Sequence, residues 1–184
     1  MLFSFIQKAL CSKPYEFIDI GAAGGIMVCL ALCFGAKYSV GIELKESPEH
    51  IFRTSFLPLF SQHGVSISSR VDIQFGVSSS NMDSLRSLQL SHECMPRVAY
   101  TFCDGFNEDD RHHIFFHLVG RDPLITLLLC SPGRGRGDKL NTYGKILEVL
   151  NAAGVGSKFK FHSVVKVSMC GSGSKKRLFV FKRS

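Results

Sequence analysis

The sequence contains no C-x-x-C pair, no H-E-x-x-H pattern and no G-x-x-x-x-G-K-[ST] loop. These absences remove the commonest thiol-redox, zinc-hydrolase and phosphate-loop signatures. No apolar run is long enough to span a membrane. The opening stretch "MLFSFIQKALCSKPYEF" also lacks the charged-then-apolar order of a secretory signal. There is no internal repeat and no long linker, and 184 residues suit one α/β domain, residues 1–184, better than two. The seven cysteines are odd in number and scattered. Cys29, Cys33 and Cys130 sit inside apolar runs, where a free thiol acts as a small core residue, so a reducing intracellular setting is expected.

What the chain has is positive charge and alternation. The net charge is +7, with basic clusters late in the chain at "SPGRGRGDK" (131–139) and "GSKKRLFVFKRS" (173–184). Such clusters favour an anionic partner. Strand-like and helix-like runs alternate: a helix over 4–11, strand 16–20, helix 24–35, strand 37–44, helix 48–62, strand 70–77 and a short helix over 81–90. Strand 97–104, helix 108–120, strand 123–130 and helix 139–153 follow. The chain closes with two strands joined by the turn-like "CGSGS" (170–174), which read as an antiparallel hairpin. Five strand-helix units and a terminal hairpin predict a mostly parallel, seven-stranded α/β sheet.

The candidate site lies in "FIDIGAAGGIM" (17–27). Gly21 and Gly25 allow positive φ and remove the Cβ that would block close approach of the backbone to a ligand. Asp19, at the strand end, argues against a pyrophosphate, which a carboxylate would repel, and for a cationic ligand group. Glu43 ends the second strand about 20 residues on, where a carboxylate can accept hydrogen bonds from both hydroxyls of a ribose. The bland alternatives are a helix cap for Asp19 and a solvated strand end for Glu43. His112, His113 and His117 lack the third ligand or the Glu that a metal site needs, and Glu108, Asp109 and Asp110 are explained as complements to a helix dipole, so no metal is expected.

This layout resembles the Rossmann-like class I S-adenosylmethionine-dependent methyltransferases, whose last strand enters antiparallel. Within them, "DIGAAGG" resembles the D-L-G-S-G-x-G motif of the disruptor-of-telomeric-silencing family of non-SET histone-lysine methyltransferases, with Asp19, Gly21 and Gly25 in place and Ala23 at the usual middle glycine. "VGIEL" resembles its Y-G-V-E segment. "CDGF" resembles its N-N-F, with an Asp replacing the first Asn, and "LCSPGRG" resembles its S-S-K-P-F. The closing "VVKVSMCGSGSKKRLFVFKR" resembles its V-V-E-L-S hairpin.

The resemblance implies S-adenosylmethionine as cofactor, held by Asp19, Gly21, Ala23, Gly25, Glu43, Val77 and Asp104. It also implies Asp104 and Phe106 beside the reacting groups, Asp104 orienting the amine or the cofactor's ammonium and Phe106 walling a lysine channel. The implied acceptor is a lysine of a core histone in a nucleosome, hence a nuclear setting, with DNA phosphates held by the basic loop and tail: Arg134, Arg136, Lys175, Lys176 and Arg177. The family's upstream segment, which forms part of its cofactor lid, is expected to be missing. The alternatives are an RNA or small-molecule methyltransferase and a non-catalytic module that binds through the same fold. The absence of an [ND]-P-P-[YF] motif after the fourth strand speaks against amino-group methylation of bases.

Overall fold

A computed structural model describes residues 2–62, 70–76, 94–102, 106–131, 143–168 and 175–184. Helix α1 (Leu2–Ala9) leads into β1 (Tyr15–Ile20), α2 (Ile26–Cys33) and β2 (Ala36–Glu43). Helix α3 follows in three pieces, α-helical Glu49–Ile51, a π-helical stretch Phe52–Phe56 and α-helical Leu57–Gln62. Then come β3 (Val71–Phe75), β4 (Arg97–Phe102), and α4, which runs as an α-helix over Glu108–His113 and as a π-helix over Ile114–Val119. Strand β5 (Ile125–Ser131), helix α5 (Tyr143–Ala152), β6 (Phe159–Ser168) and β7 (Lys175–Arg183) complete the described elements.

The seven strands form one sheet in the order β3-β2-β1-β4-β5-β7-β6. Strands β1 to β5 pair in parallel, whereas β7 is antiparallel to both β5 and β6. The predicted seven-stranded, mostly parallel sheet with a terminal hairpin is therefore present. The "CGSGS" turn and the helix expected over 81–90 lie outside the described residues. No helix among the described residues is long and apolar enough to cross a membrane.

Helices cover both faces of the sheet, so the central strands are buried on both sides, and all six residues of β1 are buried. Side chains alternate between the faces. Ile18 and Ile20 join Val40, Ile42, Leu128 and Phe181 under α4 and α5. Phe17 joins Tyr100, Leu129 and Val180 under α1 and α2. Helix α2 reads as apolar all round because it is wedged between β1, β2 and the third cluster of Phe52 and Ile73. Cys29 and Cys130 are core thiols as expected, but Cys33 is exposed: it falls on the outer side of the last turn of α2.

Helix α2 starts at Ile26 rather than at residue 24, because Gly25 takes the left-handed conformation (φ 78°). Helix α4 starts where a reciprocal cap forces it to. The Asn107 side chain accepts from the Asp110 N–H, and the Asp110 carboxylate accepts from the Asn107 N–H.

At the N-terminal ends of β1 and β4, the fully buried Glu16 accepts from Arg97 Nε at 2.6 Å, and Arg97 Nη1 reaches Asp122 at 2.8 Å. Arg183 closes the same end by donating to the carbonyls of Val119, Asp122 and Ile125. These buried charges pin the sheet at the end opposite the glycine loop.

Candidate functional site

The strand order reverses direction at β1, which pairs with β2 on one side and β4 on the other. The crevice outside the carboxyl ends of such strands is where open α/β sheets bind ligands. Here it holds the glycine loop, residues 21–25. The Ile42 carbonyl accepts from both the Gly21 N–H (2.8 Å) and the Ala22 N–H (2.9 Å), which turns the chain sharply off the strand. Gly21 (φ 84°), Ala23 (φ 46°) and Gly25 (φ 78°) all lie in the left-handed region. Ala23 occupies it with a Cβ, at a cost of roughly 1–2 kcal/mol, so a glycine would be easier at this position.

Glu43 clamps this loop. Its Oε2 accepts from the Ala23 N–H at 2.7 Å and its Oε1 from the Lys45 N–H at 3.0 Å. Each oxygen keeps a further lone pair, so the carboxylate can receive hydroxyls as well as hold the loop. Glu43 is thus more than a solvated strand end.

Asp19 is the unusual group. It is 2% exposed, lies opposite Tyr100 in the β1–β4 register, and among the described residues no donor is hydrogen-bonded to its carboxyl. It caps no helix, since Gly25 occupies the N-cap position of α2. Burial, and secondarily the charge of Glu43, raise its pKa to about 8. Asp19 in turn adds to the desolvation that pushes the Tyr100 phenol up. A buried acid whose pKa is raised, with no hydrogen-bonded donor among the described residues, is a site that a cation would ionise and hold.

Phe106 closes the loop from the other side. A Cβ on Gly21 would come within 2.9 Å of its Cζ, so the ring sits on the glycine and needs it to be one. On the far flank, Gly24 faces the Phe56 ring, and a Cβ there would lie 2.9 Å from Cε2 and 3.6 Å from Ile51 Cγ2. Ile51 and Ile26 are exposed on this rim.

The structure thus gathers Asp19, Gly21, Ala23, Gly25, Glu43 and Phe106 around one crevice. Val77, Asp104, Arg134 and Arg136 lie outside the described residues, as do the side chains of Lys175 and Lys176. The N-cap of α4 is Asn107. The sequence reading missed Tyr100 beneath Asp19, and Ile51 and Phe56 beside Gly24. All three look like ordinary core residues until the fold brings them to the loop. The His113 and His117 rings stack, centroids 5.4 Å apart and 21° between planes. Among the described residues no three His, Cys, Asp or Glu converge on one point.

No protein-family model and no curated protein matches the sequence. Solved structures do match the fold. A magnesium protoporphyrin IX methyltransferase from Synechocystis PCC 6803 with bound SAH is 10% identical, with TM-score 0.65, and the match covers 100% of this chain and 80% of that one. A ribosomal protein L11 methylase from Lactobacillus delbrueckii subsp. bulgaricus is 14% identical, with TM-score 0.59, covering 100% and 77%. A putative tRNA (m1A22) methyltransferase from Streptococcus pneumoniae is 12% identical, with TM-score 0.57, covering 98% and 69%. These likenesses establish the Rossmann-like class I methyltransferase fold. The narrower resemblance to the disruptor-of-telomeric-silencing family is not among what they show.

Proposed function

We propose that the chain is an S-adenosylmethionine-dependent methyltransferase. The observation that carries this reading is Asp19: a buried carboxyl with no hydrogen-bonded donor among the described residues, at the glycine loop of a class I methyltransferase fold. The cofactor's ammonium or sulfonium would supply the missing positive charge, and its ribose hydroxyls suit the open lone pairs of Glu43. A dinucleotide fits worse, because its pyrophosphate would meet the Asp19 carboxyl, which has no positive charge to offer it. The neighbour from Synechocystis, whose structure contains SAH, supports the same choice.

Bound there, the cofactor supplies a methyl group already activated by the sulfonium, so no nucleophilic residue is required. The chain's own work is geometric and electrostatic. The bared glycine backbone of the loop and Glu43 fix the cofactor's position, Asp19 balances its charge, and Phe106 excludes water from the side where the acceptor approaches. Asp104 remains the proposed group for orienting the acceptor.

The acceptor follows less directly, since the neighbours above are named for a porphyrin, a ribosomal protein and a tRNA. A histone lysine, with nuclear residence and DNA phosphates held by the basic loop and tail, is supported by the motif resemblances. An RNA acceptor is supported equally by the basic hairpin and also by the tRNA enzyme among the neighbours. A radiolabelled-methyl assay offering nucleosomes, free histones and total RNA side by side tests the proposal. Label in the RNA or histone fraction identifies the acceptor. No transfer to any of them, with no cofactor binding, overturns the reading.

A further inference from the structure

Arg111 stands in the first turns of α4, one helical turn beyond Asn107 and Phe106. Its N–H bonds the Asn107 carbonyl at 3.1 Å, which ties it to the segment whose phenyl ring rests on Gly21. Along α4, Arg111 precedes Ile114, Phe115 and Leu118 at spacings of three, four and seven, the stripe that packs on the sheet. Its side chain therefore leaves the helix on the sheet side, at the end where the glycine loop and Phe106 lie. The Nε–H is buried and, among the described residues, has no hydrogen-bond partner. Glu108, Asp109 and Asp110 all sit in the preceding turn, yet no ion pair joins any of them to Arg111, and Asp110 is engaged with the Asn107 N–H.

A buried guanidinium N–H left unsatisfied is costly and uncommon. An arginine that passes over three carboxylates to hold such a donor beside a ligand crevice is set to receive an oxyanion. The planar fork of donors suits a phosphate bidentately.

A second, independent feature selects phosphate over a lone carboxylate. After Glu148 the chain carries eight Lys and Arg and no Asp or Glu, which exceeds the whole net charge of +7. In the β6–β7 hairpin, Lys166 stands opposite Arg177 at the end nearer the glycine loop, two adjacent cations that suit a polyanion. By alternation Arg177 shares the face of Phe179, the face that α4 covers.

We infer that Arg111 anchors a phosphate group of the methyl acceptor, which is accordingly a nucleotide, free or within a nucleic-acid strand. The inference rests on the methyl-transfer reading for its meaning, but the phosphate site can be tested without any cofactor.

The test follows the Arg111 Nε–Hε resonance, assigned by its disappearance in Arg111→Lys, while the protein is titrated with inorganic phosphate, adenosine 5′-monophosphate, adenosine and acetate at matched ionic strength. Phosphate and the monophosphate should shift the resonance, with adenosine and acetate inert. Arg111→Lys, which keeps the charge and loses the fork, should weaken monophosphate binding about tenfold. S-adenosylhomocysteine affinity should stay within about twofold in that variant, since the cofactor is held by Asp19 and Glu43.

An RNA oligonucleotide binding about tenfold more tightly than the monophosphate would identify a strand as the source, and equal affinity a free nucleotide. A resonance that responds to phosphate no more than to chloride, or unchanged monophosphate binding in Arg111→Lys, overturns the inference. Phosphate binding without S-adenosylhomocysteine binding would sink the methyl-transfer reading and leave the anion site standing. Label on histone lysines alone would leave methyl transfer standing and overturn the nucleotide acceptor.

Discussion

The Glu43 carboxylate accepts a 2.7 Å hydrogen bond from the Ala23 N–H, joining the end of β2 to the crown of the glycine loop across twenty residues of chain. With its second oxygen on the Lys45 N–H, Glu43 holds two loops at once. Glu43→Ala should therefore do two things together. Cofactor affinity should fall by roughly 1.5–3 kcal/mol, the loss of a charged hydrogen-bond partner. Amide exchange at Ala23 and Lys45 should also accelerate in the cofactor-free protein. Weakened binding with unchanged exchange would make Glu43 a ligand contact alone.

Gly21 and Phe106 form the second testable pair. Gly21→Ala meets two penalties: the left-handed φ of 84° and the Phe106 ring at 2.9 Å from the new Cβ. The backbone part should cost roughly 1–2 kcal/mol whatever fills the space. In a double-mutant cycle with Phe106→Ala, only the steric part should vanish, leaving Gly21→Ala still destabilising by about 1 kcal/mol. Strict additivity in denaturant unfolding would show that the ring does not rest on the glycine.

At the opposite end of the sheet, Arg97 neutralises the fully buried Glu16 and bonds Asp122. Removing it takes a charged donor from the buried Glu16 and from Asp122 together, so Arg97→Ala should cost about 3–5 kcal/mol in unfolding free energy. Because the pair lies far from the loop, the fraction that remains folded at low temperature should bind cofactor normally. A loss below about 1 kcal/mol would contradict the pairing.

The contrast between these two ends explains what could be read in the sequence. The sheet and its hairpin were legible because apolar runs separated by turn residues carry their own periodicity. The cofactor loop was legible because glycines, an acid and a second acid about twenty residues later form one local pattern. Arg97 and Glu16 meet across 81 positions, and nothing in "YEFIDI" signals that its glutamate is buried. Arg111 reads as one more charge in "NEDDRHH", since a helical stretch rich in acids makes a salt bridge the natural expectation. The π-helical stretches in α3 and α4 were equally silent, because no residue pattern in either segment marks them. Cys33 shows the converse error: an apolar run does not say which side of a helix faces water.

Asp19 ties stability to pH with a definite sign. An unfolded aspartate ionises near about 4, whereas the folded one does so at about 8. Between those values the unfolded chain has released the proton that the folded chain retains, so stability should fall as pH rises through the window and level off above it. Asp19→Asn has no such proton. Its melting temperature relative to the parent should therefore climb from pH 5 to pH 8 in the absence of cofactor. Parallel melting profiles would mean that Asp19 is ionised in the folded protein.

The most direct measurement of the central claim is calorimetric titration with S-adenosylmethionine near pH 7, repeated in two buffers of different ionisation enthalpy. Asp19 is mostly protonated at that pH and must ionise to pair with the cofactor's positive charge. Binding should accordingly release a proton to the buffer, and affinity should rise with pH until about 8. Asp19→Asn should bind at least about tenfold more weakly and release none. No binding of S-adenosylmethionine, or tight binding of NADH in its place, would contradict the account.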